Sequence, residues 1–228
     1  MSDARRIRVD AHSHCEHSRD SRTPVAVQAA AVRRAGLDVV CATDHDTIDG
    51  ALRLREIADG FRVIVGEEVT SRDGDIVGLF LERAVPRGLS AEETMARIHD
   101  QGGLVSVPHP FSRNRLNHIR RDALERTAGA IDLVEVWNAR ELTAGENARA
   151  KAWAAARGIP GVAGSDAHRS FELGHAWLEM DDFTDRAAFL AATRAGTVHG
   201  RLTGVLVHVL TRYDKVMNRI APRVPSAR

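Results

Sequence analysis

Ile7-Arg8-Val9-Asp10-Ala11-His12-Ser13-His14-Cys15-Glu16-His17-Ser18-Arg19-Asp20 begins as a short apolar run and turns polar within a few residues. Ile7 to Ala11 reads as a strand, and because strand side chains alternate between faces, Asp10, His12 and His14 are expected to point the same way. Two imidazoles on one face suit a transition metal, which a His-X-His pair grips through neutral ring nitrogens. The pair alone proves little, since 11 histidines among 228 residues supply about half of one such spacing by chance. Its weight comes from what recurs along the chain.

Working outward, Pro24 with Val25, Val27, Ala30, Ala31 and Ala35 predicts a helix stopped at Gly36. Leu37 to Thr43 reads as a second strand that runs into Thr43-Asp44-His45-Asp46-Thr47, followed by a helix from Ile48 to Ala58. Arg62 to Thr70 is a third strand, ending in Gly66-Glu67-Glu68-Val69-Thr70, and Asp75 to Leu81 a fourth after an Asp73-Gly74 turn. A helix from Ser90 to Gln101, with Ser90 and Glu93 as a capping box, precedes the strand Leu104 to Val107 and the tripeptide Pro108-His109-Pro110. The basic segment Phe111 to Asn117, carrying Arg113 and Arg115, reads as a loop over the strand ends, and a short helix follows from Asp122 to Thr127. Ile131 to Trp137 is the next strand, closing on Asn138 and Arg140, and Thr143 to Arg157 is an alanine-rich helix ended by Gly158. Gly161 to Ala163 then delivers Gly164-Ser165-Asp166-Ala167-His168. Beyond it lie a strand from His175 to Met180, a helix from Phe183 to Ala195, and a basic tail with a helix from Leu206 to Ile220.

About seven strand-centred units, most followed by a helix, predict a mainly parallel sheet closed into an α/β barrel. Chemistry in such barrels gathers at the C-terminal strand ends. His12, His14, His45, Glu68, His109, Asp166 and His168 all fall there, although they are scattered over most of the chain.

The bulk composition leaves room for this reading. A chain of 228 residues suits a single barrel domain over 1–228, with a core of about 7–200 and a basic tail of about 201–228. A net charge of +1 carries no footprint of a nucleic-acid wrapper or a membrane-surface protein. Two cysteines, Cys15 and Cys41, are too few for a disulfide framework and favour a reducing compartment. With no apolar leader and no membrane-length apolar run, the expectation is a cytoplasmic protein.

Several imidazoles with several carboxylates suit Zn, Mn or Fe, whereas an all-oxygen set would suit Mg or Ca. So many ligands exceed what one ion uses, which points to two or three divalent ions, with Glu68 or Asp166 able to bridge. Such a cluster generates hydroxide near neutral pH and neutralises the oxygens of a phosphoester in in-line displacement.

These residues also carry a family resemblance. Asp10-Ala11-His12-Ser13-His14 with Ser18 and Asp20, Thr43-Asp44-His45-Asp46, Gly66-Glu67-Glu68, Pro108-His109-Pro110 and Ser165-Asp166-Ala167-His168 resemble the successive motifs of the polymerase and histidinol phosphatase (PHP) superfamily. The similarity runs from about Ile7 to His175. It implies a distorted (β/α)7 barrel of the PHP type that hydrolyses phosphoesters with metal-bound hydroxide. By that analogy one ion takes His12, His14, Glu68 and Asp166, a second shares Glu68 and adds His109, and a third takes Asp20, His45 and His168. Glu68 is preferred to Glu67 because the family pattern is Gly-X-Glu. The sequence departs from the family in the fourth strand, where some members carry a further histidine and this chain has Leu81 or its neighbours. It departs again at Cys15, where threonine is usual and the thiol reads as a packed group.

The remaining site expectations come from residue chemistry. His17 and His175 are candidates for proton transfer to the leaving group, alongside water. Arg113 and Arg140, which follow motif-bearing strands, are candidate phosphate clamps, with Asn138 as a further donor. The expected activity is that of a phosphatase or small nuclease acting on a small phosphorylated substrate, with a nucleotide or an oligonucleotide end among the candidates. The competing readings are an amidohydrolase-like hydrolase of C–N or C–O bonds and a non-catalytic, metal-stabilised regulatory module. The oligomeric state is left open.

Overall fold

The computed structural model describes residues 5–115 and 117–221. In chain order the elements are β1 (Arg6–Ser13), α1 (Val25–Arg34), β2 (Val39–Ala42), α2 (Asp49–Glu56), β3 (Arg62–Ser71), β4 (Gly74–Leu79), α3 (Ala91–His99), β5 (Leu104–Val107), α4 (Arg121–Arg126), β6 (Leu133–Asn138), α5 (Ala144–Ala155), β7 (Gly161–Gly164), β8 (Ala176–Asp181), α6 (Arg186–Thr193), β9 (Thr197–Gly200) and α7 (Leu206–Ile220). Local signals account for several boundaries. Ser90 accepts from Glu93 N at the start of α3 while Glu93 caps back, and Thr143 with Glu146 repeats that box at α5.

The strands form one sheet in the order β7-β6-β5-β4-β3-β2-β1-β8-β9. The segment after β7 then returns to β1: Asp166 N donates to His12 O at 2.8 Å, His14 N donates to Ala167 O at 2.9 Å, and Ser13 bridges Ala167 in parallel. The sheet is thereby a nearly closed α/β barrel, as expected. Its pairing is less parallel than the sequence suggested. β1–β2, β2–β3, β5–β6 and β6–β7 are parallel, whereas β3–β4, β4–β5, β1–β8 and β8–β9 are antiparallel.

The cause lies in the connections. β3 and β4 are joined by a tight turn with no helix between them, and a two-residue link can only return antiparallel. Gly74 makes that turn possible: its φ is 125°, and a Cβ there would lie 2.4 Å from the Ile119 backbone. β9 is an addition to the expected strands, a four-residue edge with no fully buried residue and hence no apolar face for the sequence to show.

Among the described residues two large apolar cores result, beside a small cluster of Ala139, Ala163 and Ala176. One lies between the sheet and the helices, with Val32 of α1, Leu54 of α2, Ile98 of α3 and Leu124 of α4 against Val40 and Val65. The other gathers Val9, Cys41, Ile64, Val77 and Leu133 with Phe183 and, from α6, Phe189. The tail expected from about 201 is, over 206–220, the helix α7, which buries Val207, Thr211 and Asp214 against the body. Residues 222–228 of that tail lie outside the described residues. No helix among the described residues is long and apolar enough to cross a membrane.

Candidate metal centre

The site forms where β1, β2, β5 and β7 end and where β3 runs on past them. In β1 the register against β2 shifts between Asp10 and Ser13. Such a bulge moves the following side chains to the opposite face. Asp10 and Ser13 thus align with Val40 and Ala42, whose side chains belong to the core beneath the helices, and Asp10 does not share the face of His12 and His14. Its carboxylate instead accepts from Ser165 N at 2.9 Å and His12 N at 3.3 Å, tying β1 to the loop after β7. Glu68 lies inside β3, beyond the four residues that pair with β2, rather than at the strand's end. Glu67 points away and accepts from Val85 N at 2.7 Å, which agrees with the preference for Glu68. His109 and Asp166 sit in left-handed backbone with φ of 29° and 51°, conformations a non-glycine residue adopts only when its surroundings hold it.

The eight sequence-predicted ligands converge on one buried cluster. His12 Nε2 lies 3.1 Å from His14 Nε2 and 3.3 Å from Glu68 Oε2. His14 Nε2 is 3.3 Å from Asp166 Oδ1 and 3.4 Å from Glu68 Oε2, and His109 Nε2 is 3.1 Å from Glu68 Oε1. Asp20 reaches His168 Nε2 at 3.2 Å with one oxygen and His45 Nε2 at 3.3 Å with the other. Among the described residues, ligand atoms close enough to share an ion form four groups: His12, His14 and Asp166; His12, Glu68 and His109; His14, Asp20, His45 and His168; and His45, Glu68 and Asp75. The donors fit a transition ion. All are ring nitrogens or carboxylate oxygens, and two imidazole nitrogens that face each other between carboxylates are best reconciled by a cation.

The ion-free electrostatics are those of a self-compensated cluster. Burial works against ionised Glu68, yet His45 and His12 hold it well below the usual carboxylate range. Asp166 is likewise held low against burial, by Arg115 and then His12. Burial opposes a charged His45, but Glu68 and Asp20 raise it to about 9. Burial lowers His168 to about 3, helped by the Arg140 guanidinium, so this ring is neutral. Asp75, raised to about 8 by burial and by Glu68, carries a proton.

A second layer fixes these groups. Glu135 places Oε1 3.2 Å from His12 Nδ1, and its Oε2 accepts from His109 N at 2.8 Å and Asn138 Nδ2 at 2.9 Å. His12 is thereby aimed with Nε2 toward the cluster. Asp44 accepts from Cys15 N and from its thiol, at 2.7 and 2.9 Å, so Cys15 is a packed group as expected.

The substrate-side expectations fare differently. Arg113 is exposed and lies 3.9 Å from Glu146, away from the cluster. Arg115 takes the place expected of it, lying on Asp166 Oδ2 and lining the cavity. Asn138 is buried and committed to Glu135 and Asp166, and so braces rather than binds. Arg140 borders the cavity, but its guanidinium is consumed by His168, Glu172, Val207 O and Thr211. Neither His17 nor His175 is among the residues that line the cavity.

Sequence reasoning also missed Asp75. β4 runs antiparallel, so the mouth of the barrel meets its first residues and Leu81 lies at the far end. The cavity above the cluster measures about 550 Å³, and α7 supplies one wall through His208, Val209, Arg212 and Lys215.

Comparisons with known proteins agree with this architecture. The family model described as PHP-associated matches residues 144–198. An uncharacterized protein of Methanocaldococcus jannaschii is 28% identical over 180 residues, covering 77% of this chain and 71% of that protein. A second uncharacterized protein from the same organism is 43% identical over 82 residues, 35% of this chain, and the match spans about half of it, 48%. Among solved structures, a two-domain protein from Bacteroides vulgatus, described as containing a predicted PHP-like metal-dependent phosphoesterase, superposes with a TM-score of 0.73. That match has 18% identity and covers 94% of this chain and 71% of that one. The fold is thus a PHP-type barrel. The matched PHP-associated model, over residues 144–198, agrees with that fold.

Proposed function

We propose that the chain is a metal-dependent phosphoester hydrolase acting on a small phosphorylated substrate. The observation that carries this reading is the Glu68 carboxylate, set between His12, His109 and His45 and facing Asp166, on the floor of a cavity edged by an arginine. His12, His14, Glu68 and Asp166 would hold one ion, Glu68 with His109 and His12 a second, and Asp20, His45 and His168 a third, with Asp75 as a further carboxylate. Zn, Mn and Fe suit this donor set. Ions held there would supply activated water and neutralise phosphate oxygens.

The chain's own residues do the rest. Arg115 presents a guanidinium at the edge of the cluster, where a phosphate can take a bidentate contact. Arg212 and Lys215 add positive charge from α7. Glu135 and Asn138 hold His12 and Asp166 in place. His208 also faces the cavity, but burial and the nearby Arg140 push it down to about 4, so it is not a proton donor at neutral pH. Of the proton donors expected from the sequence, His17 and His175 do not line the cavity, which leaves water.

We read residues 1–228 as one domain in which α7 belongs to the active mouth. The thiols of Cys15 and Cys41, both buried and unpaired, suit the reducing cytoplasm.

The test is hydrolysis of a chromogenic phosphomonoester and a phosphodiester by Mn-loaded protein, with His14→Ala as control. Turnover that His14→Ala abolishes supports the reading. Activity restricted to amides or lactones would replace it with the amidohydrolase alternative. Inactivity on every ester, with a melting temperature raised by metal, would leave a metal-stabilised regulatory module.

A further inference from the structure

The cavity has two unlike sides. Toward the cluster stand Arg115, Arg212 and Lys215, and Lys215 Nζ lies 3.3 Å from Asp20 Oδ2. On the outer rim stand Leu142, from the β6–α5 connection, with Val205 and Val209 at the start of α7. All three are exposed, at 45%, 68% and 58%, and offer apolar surface to whatever enters. None can accept or donate a hydrogen bond to a hydroxyl. The nearby amide of Asn114 is already used, by Ser112 at 2.7 Å and His208 at 3.4 Å.

The wall that α7 makes is fixed rather than swinging. Arg140 donates to Val207 O at 3.0 Å and Thr211 Oγ1 at 2.6 Å, Arg169 pairs with the buried Asp214 at 2.7 Å, and Arg22 donates to Asn218 at 2.6 Å. Three anchors spaced along the helix hold it against the β6–α5 connection and the loops that carry Asp20 and His168. A cavity of about 550 Å³ bounded by such a wall has the size of a small-molecule site, not of a groove along a polymer.

We infer that the substrate is a small phosphomonoester whose leaving group is apolar, an alkyl or aryl alcohol seated between Leu142 and the Val205–Val209 turn, with its phosphate directed at Arg115 and the cluster. This rests on the phosphoester hydrolase reading and narrows it. Polyhydroxylated leaving groups are disfavoured there because their hydroxyls would lose water against the side chains of Leu142, Val205 and Val209, which return no hydrogen bond.

The experiment compares benzyl phosphate with a hexose 6-phosphate, both esters of primary alcohols and therefore similar in intrinsic reactivity. The metal-loaded wild type is set against Val209→Asn and Leu142→Asn, whose exposed positions spare the core. The wild type is expected to show a KM about tenfold lower for benzyl phosphate, the scale of burying one small apolar group, and each variant to bring the ratio toward one. Calorimetry with the non-hydrolysable benzylphosphonate and methylphosphonate should show the same preference in Kd and its loss in the variants. Equal KM values for the two esters, or variants that leave the ratio unchanged, overturn the inference while the hydrolase reading stands. Hydrolysis of neither ester, with no phosphonate bound, overturns both.

Discussion

The aim of His12 depends on a carboxylate that never reaches the cavity. Glu135 is 2% exposed and serves three partners at once, the His12 ring, the His109 backbone and the Asn138 amide. Glu135→Gln keeps the shape but replaces an acceptor with an amide that cannot charge-assist the His12 Nδ1–H. Ion affinity, measured by metal titration, is expected to fall about 10- to 100-fold, the usual effect of removing such a partner. A titration indistinguishable from wild type would show that His12 is aimed by something else. At this scale the sequence was informative wherever the neighbouring backbone was regular. The family pattern Gly-X-Glu chose Glu68 over Glu67, and along a regular strand the two residues do face opposite ways. It was uninformative on loops, where Arg113 and Arg115 have the same chemistry two residues apart and only the path of the loop decides which enters the cavity.

Elements carry signals of a different kind. Capping boxes, Gly stops and apolar periods located most helices, and β5 and α7 appear over the expected residues. What these signals omit is direction and contact. Nothing local to Asp75–Leu81 states that this strand runs backward, yet that reversal brings Asp75 to the mouth and removes Leu81 from it. The β1 bulge is likewise invisible in a pattern that alternates cleanly through it. The basic composition of α7 reads as a solvated end, whereas Thr211 holds Arg140 of the β6–α5 connection, and Asp214 and Asn218 clasp the loops that hold His168 and Asp20. Thr211→Val tests that clasp with a near-isosteric change. It deprives a buried guanidinium of its 2.6 Å partner, and urea melts are expected to show a loss of ~1–3 kcal/mol. An unchanged midpoint would mean that α7 rests on the body without being held by it.

At the scale of the whole molecule, the barrel gathers donors from residues 12 to 168 into one pocket, and that order of motifs is what made the site legible. The same convergence couples proton binding to ion binding. Burial and the charge of Glu68 raise Asp75 from 3.8 to about 8. Burial alone would lower His45, but Glu68 and Asp20 raise it from 6.5 to about 9. Glu141 and Glu172 are raised by burial to about 7. In each case the folded, ion-free protein holds a proton that the unfolded chain has released, so the contribution to stability is full below the unfolded value and is lost as the pH rises through the folded one. Bound ions reverse the preference at His45 and Asp75, because a ligand must give up its proton to coordinate. The stabilisation that these groups give chelator-treated protein should therefore be lost between about pH 4, where the unfolded carboxyls ionise, and about pH 9, where folded His45 does, lowering the melting temperature, while the increment produced by added Mn grows up to about pH 9. Scanning fluorimetry in matched buffers reads both quantities. A metal increment that stays flat or shrinks with rising pH would separate His45 and Asp75 from the ions and leave their burial without a function.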